Sequence, residues 1–256
     1  MIPASPLQRA LTLTVHAAFI ASFFLGGAPS ALAGLVALAA GGLAARHRWA
    51  SVALYGGAAG LLGLTHAVPA VANTWPLPAL VAVGLGAAGA RRWAPEALGW
   101  WRRGPITGRD GAWAAVFVAL PGAALWTWMS LTQPDLSDLV ARFGGHPLAL
   151  YAVGALGFAM LNALAEEALF RGIAWAALED GLGSSGVAFA LQALAFGLAH
   201  INGFPRGLSG VVLAGIYGLM MGELRRRTGG LLLPWAAHVF ADSVIAALLA
   251  TVVYGV

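Results

Sequence analysis

Residues 148–178 read LALYAVGALGFAMLNALAEEALFRGIAWAAL, an almost wholly apolar run that carries two adjacent carboxylates, Glu166 and Glu167, and one guanidinium, Arg171. A run of this length reads as a membrane-crossing helix. An ionisable side chain left unpaired at membrane depth costs about 2.5 to 3.5 kcal/mol or more, so its presence there marks a functional site. On a helix, Glu167 and Arg171 stand at i and i+4 with the acid N-terminal, the favourable order for an ion pair. Glu166 lies about 100° further around, with no cation in evident reach. Glu167 and Arg171 are therefore expected to support the site, and Glu166 to be the carboxylate left for chemistry.

The rest of the chain sets the solvent. Of 256 residues, 60% are hydrophobic, only 9% are charged and 35 are glycine. Soluble domains carry about 25% charged residues. The composition predicts an all-α, polytopic transmembrane helix bundle whose helices pack through Gly and Ala. With no cysteine, disulfides, thiolate chemistry and Cys-ligated zinc are excluded. Every basic residue is arginine and the net charge is +4. No soluble basic surface exists to carry that charge to a nucleic acid.

Apolar segments of roughly spanning length fall at 7–26, 31–45, 51–68, 76–90, 111–131, 148–178, 186–200, 208–224 and 231–254, which predicts eight or nine membrane helices, the second, fourth and seventh being short. Arg9, Arg46, Arg48, Arg91, Arg92, Arg102, Arg103, Arg109 and Arg225 to Arg227 fall on one side of this topology, against Arg142 and Arg206 on the other. The positive-inside rule makes the first side, with the N-terminus, cytoplasmic. The stretch 91–110, with Pro95 and the Trp100-Trp101 pair, reads as an interfacial segment. It divides the chain into N-terminal helices over 1–110 and a C-terminal, catalytic bundle over 111–256 that holds every intramembrane acid.

Three further stretches of the second part carry polar residues. Gln192, Phe196 and His200 share a helical face at i, i+4 and i+8; His238 and Asp242 share another at i and i+4; Asn162 lies four residues before Glu166, within reach as a partner. At about 1.5 Å per residue, Glu166 and His200 lie about 20 Å from the cytoplasmic ends of their segments and His238 about 15 Å. Side chains on three helices at one depth point to one cavity. His16 and His66 read instead as interhelical hydrogen-bonding residues.

Two chemistries fit a Glu, two His and an Asp. In the first, Glu166 takes a proton from water that His200 helps to hold, and His238 stabilises the oxyanion of a tetrahedral intermediate. In the second, a metal such as zinc sits among Glu166, His200 and His238 and activates bound water. No His-Glu-x-x-His motif supports the second.

The order Glu166-Glu167-x-x-x-Arg171, Phe196-x-x-x-His200, His238-x-x-x-Asp242 resembles the CPBP family of membrane proteins, the type II CAAX prenyl endopeptidases and their bacterial relatives. The resemblance covers residues 160–243. It implies an intramembrane endopeptidase in a bacterial inner membrane, acting on a membrane-associated protein or peptide with a C-terminal anchor or lipid. It implies Glu166 as catalytic base with His200 on the water, His238 and Asp242 at the oxyanion, and Glu167 and Arg171 in support; the family has been described both as metalloproteases and as glutamate-dependent proteases, and the metal-free form is the expectation here, with zinc the alternative. The family position at 242 is commonly Asn; Asp242 can donate to an oxyanion only when protonated. Two other readings are a non-catalytic bacteriocin-immunity or scaffold protein and a proton-coupled transporter.

Overall fold

The computed structural model describes residues 4–255. Each apolar segment is a helix: α1 (Pro6–Phe24), α2 (Gly27–Arg46), α3 (Ala50–His66), α4 (Leu77–Trp93), α5 (Gly108–Thr132), α6 (Leu148–Leu182), α7 (Ser185–Ala199), α8 (Leu208–Thr228) and α9 (Leu232–Tyr254). No strand occurs among the described residues. Six of these helices (α1, α2, α5, α6, α8 and α9) are long and apolar enough to cross a membrane, which makes the chain an integral membrane protein; α3, α4 and α7 are shorter, so length and composition alone identify six of the eight or nine expected spans. The second helix is not among the short ones. It starts at Gly27 because Pro29 sits in its first turn, where no intrahelical N–H is needed.

Local chemistry sets several helix ends. The Ser5 hydroxyl accepts from the Gln8 N–H at the start of α1, and Thr107 and Asp110 form a reciprocal capping box on α5. The arginine-rich loops gather at one end of the bundle. There Arg227 pairs with Asp110 at 2.8 Å, Arg102 Nε donates to the Gly229 carbonyl at 2.7 Å, and Ser51 donates to Asp180 at 2.6 Å. Glu223 is bound by Arg226 and Arg227, as its neighbours in sequence suggest. Arg142 and Arg206 lie near the other end, where Tyr254 donates to the Phe143 carbonyl and Trp128 packs on Phe204.

Small residues let the backbones touch. A Cβ added to Gly56 on α3 would come within 2.5 Å of the Gly41 Cα on α2, and one added to Gly63 within 2.6 Å of the Gly34 Cα. The N-terminal helices pack in turn on α6: Phe19 meets Phe170 edge-on at 5.3 Å, and both belong to one buried cluster that runs from Val15 to Leu231. His16 bridges helices as expected, with Nδ1 2.8 Å from the Tyr55 hydroxyl. His66 does not, since its Nδ1 turns back to the Leu62 carbonyl of its own helix.

Two features of α6 were invisible in the sequence. Its stretch Glu167–Ala174 is a π-helix, wholly buried, between α-helical flanks. Such segments are rare and recur at functional sites. The second is the packing of Trp100 on this helix: this residue is 3% exposed and lies on Gly172, while Trp101 beside it is 46% exposed. A Cβ on Gly172 would stand 2.6 Å from the Trp100 ring. A ring edge held on all sides cannot retreat as a flexible chain end does. Gly172→Ala is therefore expected to destabilise the folded protein by about 1 to 3 kcal/mol, read as a lowered melting temperature in detergent, with Gly154→Ala, whose added Cβ meets nothing within 4 Å, as the neutral control.

Candidate active site

The π-helical stretch presents Glu167 and Arg171 to the bundle interior. Their side chains are 1% and 0% exposed and form an ion pair at 3.1 Å, as their spacing predicts. Arg171 Nη2 also reaches the Gly218 carbonyl on α8 at 3.4 Å, and its guanidinium carbon lies 4.2 Å from the centroid of the Phe196 ring on α7. Glu167 has a second partner, because His238 Nδ1–H on α9 donates to its Oε1 at 2.7 Å. One carboxylate thus neutralises Arg171 and fixes the His238 ring.

That bond decides which nitrogen of His238 is free. Nε2 faces Glu166 Oε2 and Asp242 Oδ1, each at 3.6 Å. Glu166 therefore does have a basic group beside it, one that the sequence spacing could not show, since it arrives from another helix. Its Oε2 is buried without a hydrogen-bond partner in the protein. Asp242 is held by Asn162, whose Nδ2–H donates to Oδ2 at 3.0 Å. Asn162, expected as a partner of Glu166, stands beside both carboxylates, and its Oδ1 accepts from Trp75 Nε1–H at 2.7 Å. The bond from Asn162 engages Asp242 Oδ2 and leaves Oδ1 toward His238.

His200 ends α7 as its C-cap residue, with Nδ1–H donating to the Phe196 carbonyl at 2.7 Å. Its Nε2 is thereby left as the acceptor nitrogen in the neutral ring. Phe196 lies between the two histidines, its ring centroid 4.5 Å from His200 and 6.1 Å from His238. His200, His238 and Asp242 line one cavity of about 320 Å³ between α5, α7, α8 and α9. The other walls are mostly apolar, including Leu120, Leu125, Leu213, Ile216 and Ile245. Glu166 stands one contact behind this wall; among the described residues no hydrogen bond or ion pair joins it directly to His200. Sequence reasoning missed Tyr217 of α8, which also lines the cavity with its ring 5.2 Å from that of His238.

A metal among Glu166, His200 and His238 would need three donors converging on one point. Among the described residues no group of three or more His, Asp or Glu side chains does so in a geometry that could hold a metal ion. At this wall an unpartnered carboxylate oxygen stands beside a fixed imidazole and a largely apolar cavity.

Comparison with known families agrees with the motifs. Residues 148–244 match the family model described as type II CAAX prenyl endopeptidase Rce1-like. No curated protein and no solved structure matched the chain. The Rce1-like segment begins with α6 and ends inside α9, so it contains all four candidate catalytic residues and α5 lies outside it.

Leaving Glu167 buried beside His238 without Arg171 is expected to be costly. Arg171→Met should destabilise the protein by about 3 to 5 kcal/mol, the range for breaking a buried pair from one side, whereas Arg226→Met at the exposed arginine-rich end should lie within about 1 kcal/mol. Thermal unfolding of the two variants in the same detergent checks the contrast.

Proposed function

We propose that this protein is an intramembrane endopeptidase that hydrolyses a peptide bond of a membrane-associated protein near a C-terminally anchored or lipidated end. The observation that carries the reading is the convergence of Glu166, His238 and Asp242 on one nitrogen at the wall of an apolar cavity shared with His200. The Rce1-like match supports it.

Glu166 Oε2 is free to take a proton from a water, whose oxygen then attacks the scissile carbonyl carbon. His200 Nε2, an acceptor in its fixed tautomer, orients that water. The oxyanion of the tetrahedral intermediate is met by a proton-bearing His238 Nε2, held in place through Glu167. Collapse of the intermediate breaks the C–N bond, and the proton on Glu166 passes to the leaving amine. Asp242 acts by holding the His238 ring between itself and Glu167, in place of an oxyanion donor. A proton-coupled transporter would need carboxylates strung between the two faces of the membrane; here three crowd one imidazole. A non-catalytic immunity protein would have no need of the unpartnered Glu166 oxygen.

Purified protein in detergent, given a quenched fluorescent peptide that ends in a prenylated CAAX sequence, should cleave it. Glu166→Gln, which keeps the shape and removes the base, should lower kcat by about 10² to 10⁴-fold. Wild-type cleavage that persists with EDTA and 1,10-phenanthroline supports water activation by Glu166; loss under chelation moves the assignment to a metal. Activity that survives Glu166→Gln removes Glu166 from the mechanism.

We also propose that the arginine-rich end faces the cytoplasm of a bacterial inner membrane, as the positive-inside rule requires. Because the chain has no cysteine, single introduced thiols report on sidedness without interference. In intact cells an impermeant maleimide should label His146→Cys and spare His47→Cys. The reverse pattern inverts the topology.

A further inference from the structure

We propose that the Tyr217 hydroxyl is a second hydrogen-bond donor to the oxyanion, a catalytic residue alongside His238. The inference rests on the hydrolytic reading above and adds a residue to it. Tyr217 lines the same cavity as His200, His238 and Asp242, and its ring stands edge-on to His238, centroid to centroid 5.2 Å at 79°. Its hydroxyl oxygen is buried and has no hydrogen-bond partner in the protein. A buried unpaired hydroxyl costs about 1 to 3 kcal/mol, so one kept at a cavity wall has a use there.

The charge requirement of the cavity supplies that use. A tetrahedral intermediate places a full negative charge on one oxygen, and oxyanion sites meet it with donors fixed in advance. The polar wall is short of donors. His200 has its N–H committed to the Phe196 carbonyl, so its other nitrogen accepts. Asp242 accepts from Asn162 through Oδ2 and turns Oδ1 toward His238 Nε2. His238 Nε2 can supply one N–H. Tyr217 supplies the other donor: a neutral phenol gives one O–H and, unlike a carboxylic acid, needs no proton loaded onto it first. The two rings are in contact, which brings the residues that bear both donors to the same cavity.

Tyr217→Phe removes one oxygen and keeps the ring that packs on Phe196 and His238. With full-length protein in detergent and the same prenylated fluorogenic peptide, kcat should fall about 10² to 10³-fold and KM should stay within about twofold. A phosphinic peptide of the same sequence, whose tetrahedral P–O⁻ mimics the intermediate, should bind more weakly by a similar factor, while the uncleaved parent peptide binds Glu166→Gln with or without the Tyr217 hydroxyl equally well. The ratio of these two affinities is read from folded protein only, so a loss of stability cannot imitate the effect. Unchanged kcat and an unchanged ratio overturn the role of Tyr217 while hydrolysis stands. A wild type that neither cleaves the peptide nor prefers the phosphinic form overturns both.

Discussion

Everything at the site depends on how one guanidinium is kept in a membrane. Arg171 is fully buried, and its charge is distributed over four helices: Glu167 on its own, the Phe196 ring on α7, the Gly218 carbonyl on α8 and, through Glu167, the His238 imidazole on α9. Removing any of these leaves charge in low dielectric, where its penalty is largest. The π-helical geometry contributes a further tie, because the Arg171 carbonyl is open to a hydrogen bond from Arg225 Nε at 3.3 Å. The electrostatic need of Arg171 thus becomes a positional constraint on α7, α8 and α9. The orientation of His238, and with it the nitrogen offered to Glu166, follows from that constraint.

Glu167 and Glu166 illustrate how adjacent, identical side chains take different roles. The helix turns about 100° between them. Glu167 takes Arg171 and His238 Nδ1 on its Oε1, while Glu166 meets His238 only at 3.6 Å. That division was legible from spacing alone, as were the helical fold, the depth shared by the three motifs and the Arg171 ion pair, because charge in an apolar run is a strong signal and helical geometry is regular. Contacts between helices distant in sequence were not legible. The bond from Asn162 to Asp242 and the seat of Trp100 on Gly172 both join segments far apart in sequence. Tyr217 carried no signal, since a lone tyrosine in an apolar helix is ordinary until a histidine from another helix is seen against it. The π-helical turn has no Gly or Pro to announce it before Gly172.

The N-terminal helices lie outside the Rce1-like segment, but the site does not stand without reference to them. Trp75 precedes α4, and its indole N–H donates to Asn162 on α6; Asn162 donates to Asp242 on α9; Asp242 faces His238 Nε2. Each bond in this chain fixes the rotamer of the next group, and hydrogen bonds in series at low dielectric polarise one another. Phe23 and His66 pack around the Trp75 ring at 6.2 and 6.3 Å, so α1 and α3 set its position. His238 is consequently held from both sides: by Glu167, whose place is fixed by Arg171 within the C-terminal part, and by Asp242, whose place is fixed from the N-terminal part. An imidazole that must present one nitrogen to a reacting centre gains its precision from such opposed supports. The first hundred residues are, in this sense, part of the site's geometry, although they contribute no group to the cavity wall.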